Sequence, residues 1–313
     1  MKKFFLSLCV ALVATGFAMA QDMETVVNTY NAAATALNDG DLTGALANFN
    51  TALEQASALG EDGAQIVSNC QETIPKVLLS IGKKNAEISD FDGAVDFFNQ
   101  AMDKAMDFGN NDAVIAEAGK LIPQMLNAKA GALLNAKDYD AAAEAYKAVL
   151  DLDSANGAAW FRLGQALAAA DKADEAIEAF TKAAENGQEA NAKKQLANIY
   201  LKKAVACQKE KDMKGMLENA QLSAENNDSA NAQKLIGTAA LSLKQNLVAA
   251  EAFEAYLALN PEASDKAQTI YQIGTAYMGA NDNAKACGYF KQIKSDAKWG
   301  EAATYYITTL KCN

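Results

Sequence analysis

The chain of 313 residues contains no histidine. Histidine is the usual general acid or base near neutral pH and the commonest ligand of transition metals. The sequence also lacks a phosphate-binding glycine-rich loop and a Gly-x-Ser-x-Gly elbow. Carboxylate pairs such as Asp138/Asp140 and Asp171/Asp174 fall in predicted turns, where helix capping explains them. We therefore expect a protein that is not an enzyme and holds no cofactor or metal.

Basic residues are in the minority, with 28 Lys and Arg against 39 Asp and Glu and a net charge of −11. Binding of nucleic acid requires a cationic surface that neutralises phosphates, so nucleic acid is excluded as the expected ligand. The acidic residues do not form an Asp-x-Asp-x-Asp-Gly calcium loop either. An acidic, solvated exterior is the simpler interpretation.

Long apolar runs are missing except at the beginning of the chain. Lys2 and Lys3 precede the largely apolar segment Phe4–Phe17, and Ala18-Met19-Ala20 has the small-x-small pattern that signal peptidase recognises. The run is shorter than the roughly 20 residues that span a bilayer, which argues against a membrane anchor. We expect residues 1–20 to be a signal peptide and the mature protein to be exported, to a bacterial periplasm. Removing two lysines changes the net charge to −13.

What the sequence does contain is a repeat of helical type, and strand signals are absent. The interval Ala-x-x-x-Phe or Ala-x-x-x-Tyr occurs at Ala45/Phe49, Ala94/Phe98, Ala142/Tyr146, Ala176/Phe180, Ala249/Phe253 and Ala286/Phe290. Twelve residues before each of these alanines stands a small residue, namely Ala33, Gly82, Ala130, Gly164, Gly237 and Gly274. A spacing of four puts both apolar side chains on one helix face, and the upstream small residue lets a first helix approach closely. Such hairpins must stack to bury their apolar faces.

If the small residue is position eight, the units begin at Val26, Pro75, Pro123, Gly157, Ala197, Ala230 and Ala267. The clearest unit carries Trp160, Leu163, Gly164, Leu167, Ala176, Phe180 and Ala183. This pattern resembles the tetratricopeptide repeat, and Pro261 matches the terminal proline of that repeat. The resemblance implies an all-α, right-handed solenoid of about seven stacked hairpins over residues 21–313, as one domain.

Two parts of this solenoid are expected to be irregular. The repeats over about 26–122 are lengthened, whereas those over about 123–298 are regular. Pro75 and Pro123 either start or kink a first helix, and we expect them to start it. The unit beginning at Ala197 has Met216 and Ala220 in place of Ala and an aromatic residue, which predicts a local irregularity there.

The segment over about 299–311 is amphipathic and follows the last repeat. We expect it to form a capping helix that covers the apolar face of that repeat. The alternative is an exposed aromatic patch that binds a ligand, made of Trp299, Tyr305, Tyr306 and Leu310.

Four cysteines remain after removal of the signal peptide: Cys70, Cys207, Cys287 and Cys312. Export permits disulfides, but a bridge requires Cα atoms within about 7 Å. Folding the last hairpin about residue 296 leaves Cys312 about 10 Å from the residue opposite Cys287. Isolated, partly buried thiols are therefore the expectation, with a Cys287–Cys312 bridge as the alternative, and no four-cysteine metal site is spaced correctly.

The resemblance also implies where a partner binds. Ligand contacts in tetratricopeptide proteins commonly come from the second, fifth, sixth, ninth and twelfth positions of a unit, on the concave face. Those positions supply the predicted groove residues Tyr30, Lys83, Asn127, Phe161, Arg162, Gln165, Lys202, Lys234, Tyr271 and Gln272. The family's pattern for clamping a peptide carboxylate is not reproduced in consecutive units, which disfavours capture of a chaperone tail.

These residues predict a non-enzymatic scaffold or adaptor of the cell envelope that binds a protein or an extended peptide in its groove. Arg162, Lys202 and Lys234 predict an acidic partner. Two alternatives stay open at this point. One is a structural or oligomerising element that uses the lengthened N-terminal helices, and the other is a carbohydrate or cell-wall binder that stacks sugars on Phe161 and Tyr271.

Overall fold

The computed structural model describes residues 19–312, and most of them lie in α-helices. The predicted signal peptide, residues 1–20, falls outside the described residues except for its last two positions. Between residues 19 and 312 no strand forms, which confirms the all-α fold class. The chain divides into two compact units, one ending at Ser154 and the other starting at Ala155.

The first unit contains three antiparallel helical hairpins. They are α1 (Met19–Asn38) with α2 (Leu42–Ala58), α3 (Ala64–Glu87) with α4 (Phe91–Phe108), and α5 (Asp112–Asn135) with α6 (Tyr139–Leu152). Each second helix packs on the first helix of its own hairpin and, within the unit, on the first helix of the next one. This is the alternation that makes stacked hairpins bury a continuous core.

The second unit contains four hairpins and one further helix. They are α7 (Gly157–Ala169) with α8 (Ala173–Ala183), α9 (Glu189–Glu210) with α10 (Met213–Asn226), α11 (Ala230–Ser242) with α12 (Asn246–Leu259), α13 (Lys266–Gly279) with α14 (Asn283–Gln292), and then α15 (Gly300–Thr309). The seven predicted hairpins and the capping helix are therefore present.

Small residues face aromatic rings inside the hairpins, as the repeat predicts. A Cβ built on Gly164 would lie 2.8 Å from the ring of Phe180, and one built on Gly274 would lie 2.7 Å from Phe290. Ala33 takes the same place in the first hairpin, with no exposed surface. The closeness of the two helices therefore depends on the small residue.

Aspartates cap the second helices of most hairpins, whereas α8 and α12 begin without a side-chain cap. Asp41 accepts a hydrogen bond from the backbone N–H of Gly44 at 2.9 Å, and Asp138 accepts one from Ala141 at 3.3 Å. An N-cap carboxylate satisfies backbone donors that have no partner within the helix. The capping role expected for Asp138 is confirmed.

Pro75 and Pro123 lie inside helices, so the expectation that they start helices is wrong. Helices α3 and α5 begin eleven residues earlier, at Ala64 and Asp112. Proline at position 75 removes the amide that would bond to the carbonyl oxygen of Gln71. The buried side chain of Asn111 supplies a substitute, because its Nδ2 lies 3.5 Å from that oxygen and 3.3 Å from the carbonyl oxygen of Glu72.

First helices differ in length more than the sequence indicates. Helices α3 and α5 have 24 residues each and α9 has 22, whereas α7 and α11 have 13. Lengthening was expected only up to residue 122, so the extension of α9 was missed. The irregularity expected where Met216 and Ala220 replace Ala and an aromatic residue is not found; non-helical dihedral angles occur instead at Asn186 and Gly187, just before α9. Helix α10 itself is regular, and both Met216 and Ala220 are fully buried in it.

Helix α15 covers the last hairpin. Ala303 is fully buried, and the ring of Tyr306 stacks on Phe290 with centroids 5.0 Å apart. The ring of Trp299 lies 4.7 Å from that of Tyr271. Two of the three terminal aromatic residues, Trp299 and Tyr306, thus pack against the hairpin, while Tyr305 stays 64% exposed.

A disulfide joins Cys287 to Cys312, with the Cα atoms 5.5 Å apart. The expectation of isolated thiols is wrong for this pair and right for Cys70 and Cys207, which are free. The stacking of Phe290 on Tyr306 explains the error. This contact places the point at which the chain reverses direction near residue 298 instead of 296. Cys287 then lies opposite residue 309, close to Cys312.

Candidate partner-binding surface

The groove residues predicted in the first unit are engaged within the fold to different degrees. Tyr30 is 6% exposed and packs edge-on against Phe49, so it belongs to the core and presents almost no surface to a partner. Lys83 is exposed but pairs with Glu117 at 2.6 Å. The side chain of Asn127 donates to the carbonyl oxygen of Pro123 at 2.9 Å.

Helix α7 carries three of the predicted residues. Phe161 packs edge-on against Phe180, with ring centroids 5.4 Å apart, which ties it to the hairpin. Arg162 is exposed and donates from Nη1 to Oε1 of the half-buried Gln165 at 3.0 Å. No ion pair involves Arg162 within residues 19–312, so its full charge is available to a partner.

Lys234 on α11 is held in a cluster with Tyr256, on α12 of the same hairpin, and with Asp265, which precedes α13. Its Nζ lies 2.6 Å from Oδ2 of Asp265 and 5.3 Å from the ring centroid of Tyr256, whose hydroxyl donates to Oδ1 of Asp265 at 2.7 Å. Burial opposes ionisation of Asp265, but the hydrogen bonds from Lys234 and Tyr256 hold the pKa of that carboxyl below its ordinary value. Lys234 therefore supports the fold, and its charge is largely compensated.

On α13, Tyr271 is enclosed by other rings. It lies 5.9 Å from Phe290 and 6.1 Å from Tyr306, besides its contact with Trp299. Gln272 is half-buried on the same helix. Tyr271 is thus a contact between the last hairpin and its cap, which leaves little of the ring for stacking a ligand.

Lys202 lies on α9, beside apolar side chains that sequence reasoning missed. An open depression of about 450 Å³ follows this helix, and we call its lining residues the α9 stripe: Leu201, Lys202, Val205, Ala206, Lys209 and Glu210. Val205 is 36% exposed and is the one large exposed apolar side chain within a first helix among the described residues. The positional rule that selects Lys202 also selects Leu201 at position five and Val205 at position nine.

The charge of α9 is opposite to that of the chain. The helix has five lysines and two glutamates, in a protein with a net charge of −11. Lys193 pairs with Glu189 at 2.6 Å and Lys203 pairs with Asp174 at 2.7 Å. Lys194, Lys202 and Lys209 are exposed, and no ion pair involves them anywhere in residues 19–312.

A second polar cluster links α12, α13 and α14. The hydroxyls of Tyr277 and Tyr289 both donate to Oε1 of Glu254 at 2.7 Å, and Lys285 lies 4.6 Å from the ring centroid of Tyr277. Burial and the carboxylate of Glu254 raise the pKa of Tyr289 to about 12, and the same causes raise that of Tyr277. Both phenols are therefore neutral at pH 7, and their hydrogen bonds to Glu254 join three helices.

The Lys234 cluster gives a prediction about stability. We expect Lys234→Met to lower the melting temperature of the protein, with a loss of up to about 1 kcal/mol, because Asp265 keeps its charge without its cation. The pKa of Asp265 in the folded protein lies below its ordinary value. The stability that the Lys234–Asp265 pair contributes is therefore fully present above about pH 4 and is lost as the pH falls through that lowered pKa. The difference in melting temperature between wild type and Lys234→Met should therefore become smaller as the pH is lowered. Lys202→Met is the matched control and should melt like wild type at every pH.

Comparison with known proteins finds a family match over part of the chain. A family model described as tetratricopeptide repeat matches residues 127–191. Comparison with curated proteins finds no match. Among solved structures, one of the MamA protein has a TM-score of 0.35 at 22% identity and covers 57% of this chain and 94% of its own.

Two other structures have similar scores. A structure of YrrB, described as a TPR protein with an unusual peptide-binding site, has a TM-score of 0.32 at 21% identity over 56% of this chain and 88% of its own. The TPR2AB domain of yeast Sti1, in a complex named with pHSP90, has a TM-score of 0.31 at 13% identity over 77% of this chain and 98% of its own. These scores are too low to carry an argument about function. Within the described residues no helix is long and apolar enough to cross a membrane.

Proposed function

We propose that this chain, in which residues 127–191 match a tetratricopeptide-repeat model, is a non-enzymatic interaction scaffold that binds a partner protein through the second unit. The observation that carries this proposal is the exposed, unpaired charge of Arg162 on α7 and of Lys202 in the α9 stripe. Stacked helical hairpins serve to present extended binding surfaces. Most of the other predicted groove residues are engaged in contacts within the fold.

We also propose that the protein is exported and works in the periplasm as one domain comprising residues 21–313. The Cys287–Cys312 disulfide supports this location, because structural disulfides persist in oxidising compartments and are rare in the cytosol. The signal-like residues 1–20 support it independently. Cell fractionation and N-terminal sequencing test this location, and a mature chain that starts at Gln21 is the expected result.

The charge-reversed double variant Arg162→Glu/Lys202→Glu tests the interaction. After crosslinking in the native envelope and mass spectrometry, we expect the variant to lose a partner that wild type retains, with unchanged helicity and melting temperature. Its matched control is Lys244→Glu/Lys294→Glu, which reverses two exposed lysines outside the first helices and should retain the partner. If the double variant recovers every wild-type partner, the surface assignment is wrong.

The same samples separate this function from the structural alternative. Light scattering of the purified protein gives its oligomeric state, and a scaffold of the proposed kind binds its partner whatever that state is. Loss of self-association in the double variant, without loss of any other partner, would favour an oligomerising element instead. The carbohydrate alternative has less support, because Phe161 and Tyr271 are both packed against other rings.

A further inference from the structure

The exposed face of α9 combines apolar and cationic side chains in an ordered way. At 3.6 residues per turn, Leu201, Val205, Lys194, Lys209 and Lys202 fall within an arc of about 100° around the helix. Leu201 and Val205 lie toward one side of this arc, and Lys202 and Lys209 lie toward the other. The two ion-paired lysines, Lys193 and Lys203, fall outside the arc. The unpaired cations are thus concentrated on the face that carries the exposed Val205 and the half-buried Leu201.

This combination has no counterpart on the other first helices of the second unit. The apolar residue Phe161 of α7 packs on Phe180, the cation Lys234 of α11 is paired with Asp265, and Tyr271 of α13 lies under Trp299. On α9 neither the apolar side chain of Val205 nor the charge of Lys202 is satisfied within the described part of the chain. Exposed apolar surface rimmed by charge marks an interaction site.

The spacing of these side chains defines what would complement them. Leu201 and Val205 are four residues apart, about 6 Å along the helix axis, and Lys194 and Lys209 are about 22 Å apart. Two apolar side chains about 6 Å apart are available from one turn of a partner helix or from alternate residues of an extended segment. Three unpaired lysines require carboxylates around that apolar pair.

We propose that α9 is the principal docking site of this protein and that its occupant is an acidic protein segment with two apolar side chains flanked by Asp or Glu. This inference rests on the proposed scaffold function and names the chemistry of the partner. The carboxylates pair with Lys194, Lys202 and Lys209, and the apolar pair covers Leu201 and Val205. Desolvation of Val205 contributes affinity, while the lysines orient the segment and accelerate its association.

Synthetic peptides test the proposal directly. The probe is a fluorescent twelve-residue peptide of glutamates with two leucines four positions apart, and two further peptides replace its glutamates by lysine or its leucines by serine. We expect wild type to bind only the first peptide, more weakly as salt is raised. The variants Val205→Glu and Lys202→Glu/Lys209→Glu should each weaken that binding by about tenfold. The matched controls Leu247→Glu, which alters an exposed leucine on α12, and Lys294→Glu should bind like wild type.

Several results would overturn the inference: no binding of the first peptide, equal binding of the lysine peptide, or no effect of Val205→Glu in a variant of unchanged helicity. Preferential binding to phosphatidylglycerol vesicles would identify a membrane surface as the occupant and would also overturn it. Failure here is distinct from failure of the scaffold function. A native partner that is lost in Arg162→Glu/Lys202→Glu while the peptide does not bind would leave the scaffold in place and remove only the acidic segment as the occupant of α9.

Discussion

Leucine in place of Gly164 is expected to destabilise the second unit by about 1–3 kcal/mol, the usual range for overpacking. A Cβ at this position already lies 2.8 Å from the ring of Phe180, and the further leucine carbons have no space between α7 and α8. Phe180 is itself 1% exposed, so its ring has no room to move away. Thermal and urea unfolding followed by circular dichroism measure the loss.

Gly288→Leu is the matched control, because Gly288 lies in α14 of the same unit with nothing within 4 Å of its Cβ position. There the change should be neutral or should stabilise by up to about 1 kcal/mol, since glycine is a poor helix former. Gly164→Ala should fall between the two, because Ala33 occupies the equivalent place opposite Phe49. Equal melting curves for Gly164→Leu and wild type would show that the hairpin contact differs from the one described.

The hairpin register could be predicted because it depends on contacts between residues that are close in sequence. The small residue on a first helix and the aromatic residue sixteen positions later belong to one hairpin, as Gly164 and Phe180 do. Their spacing is fixed by two helices and one tight turn, and each turn carries its own signal, such as Asp138 as an N-cap. Local information is then enough to place all seven hairpins.

The lengths of the first helices could not be predicted in the same way. A proline normally ends or starts a helix, but Asn111 of the next hairpin compensates for the missing amide of Pro75. That hydrogen bond comes from a residue 36 positions after Pro75, and no feature of the sequence near Pro75 predicts it. The extension of α9 back to Glu189 likewise follows irregular backbone at Asn186 and Gly187, where the sequence resembles an ordinary turn.

The binding surface is the hardest part to predict from the sequence, because the exposure and pairing of its side chains depend on several hairpins together. Lys234 has the position of a groove cation, yet its partner Asp265 comes from the turn before α13. Val205 was omitted because an apolar residue on a helix is usually in the core, and only the structure reveals that it is exposed. The assignment of partner contacts to these residues stays a prediction.

Loss of the terminal disulfide is expected to have a similarly large but more local effect. The double variant Cys287→Ser/Cys312→Ser removes a link that closes a loop of 25 residues, for which chain entropy gives about 3 kcal/mol. Helix α15 is held to the last hairpin by this link and by contacts of Trp299 and Tyr306. Hydrogen exchange should therefore accelerate most in α14 and α15 and much less in α11.

Cys207→Ser is the matched control for that experiment, since Cys207 is free and only partly buried. It should leave exchange in α15 unchanged. Alkylation of the unfolded mature protein supplies an independent measurement of the bridge: two cysteines, Cys70 and Cys207, should react before reduction, and Cys287 and Cys312 should react only after it. If all four react without a reductant in protein from an oxidising compartment, the link is not formed. Helix α15 would then depend on its aromatic contacts alone, and the double serine variant should protect it as well as wild type does.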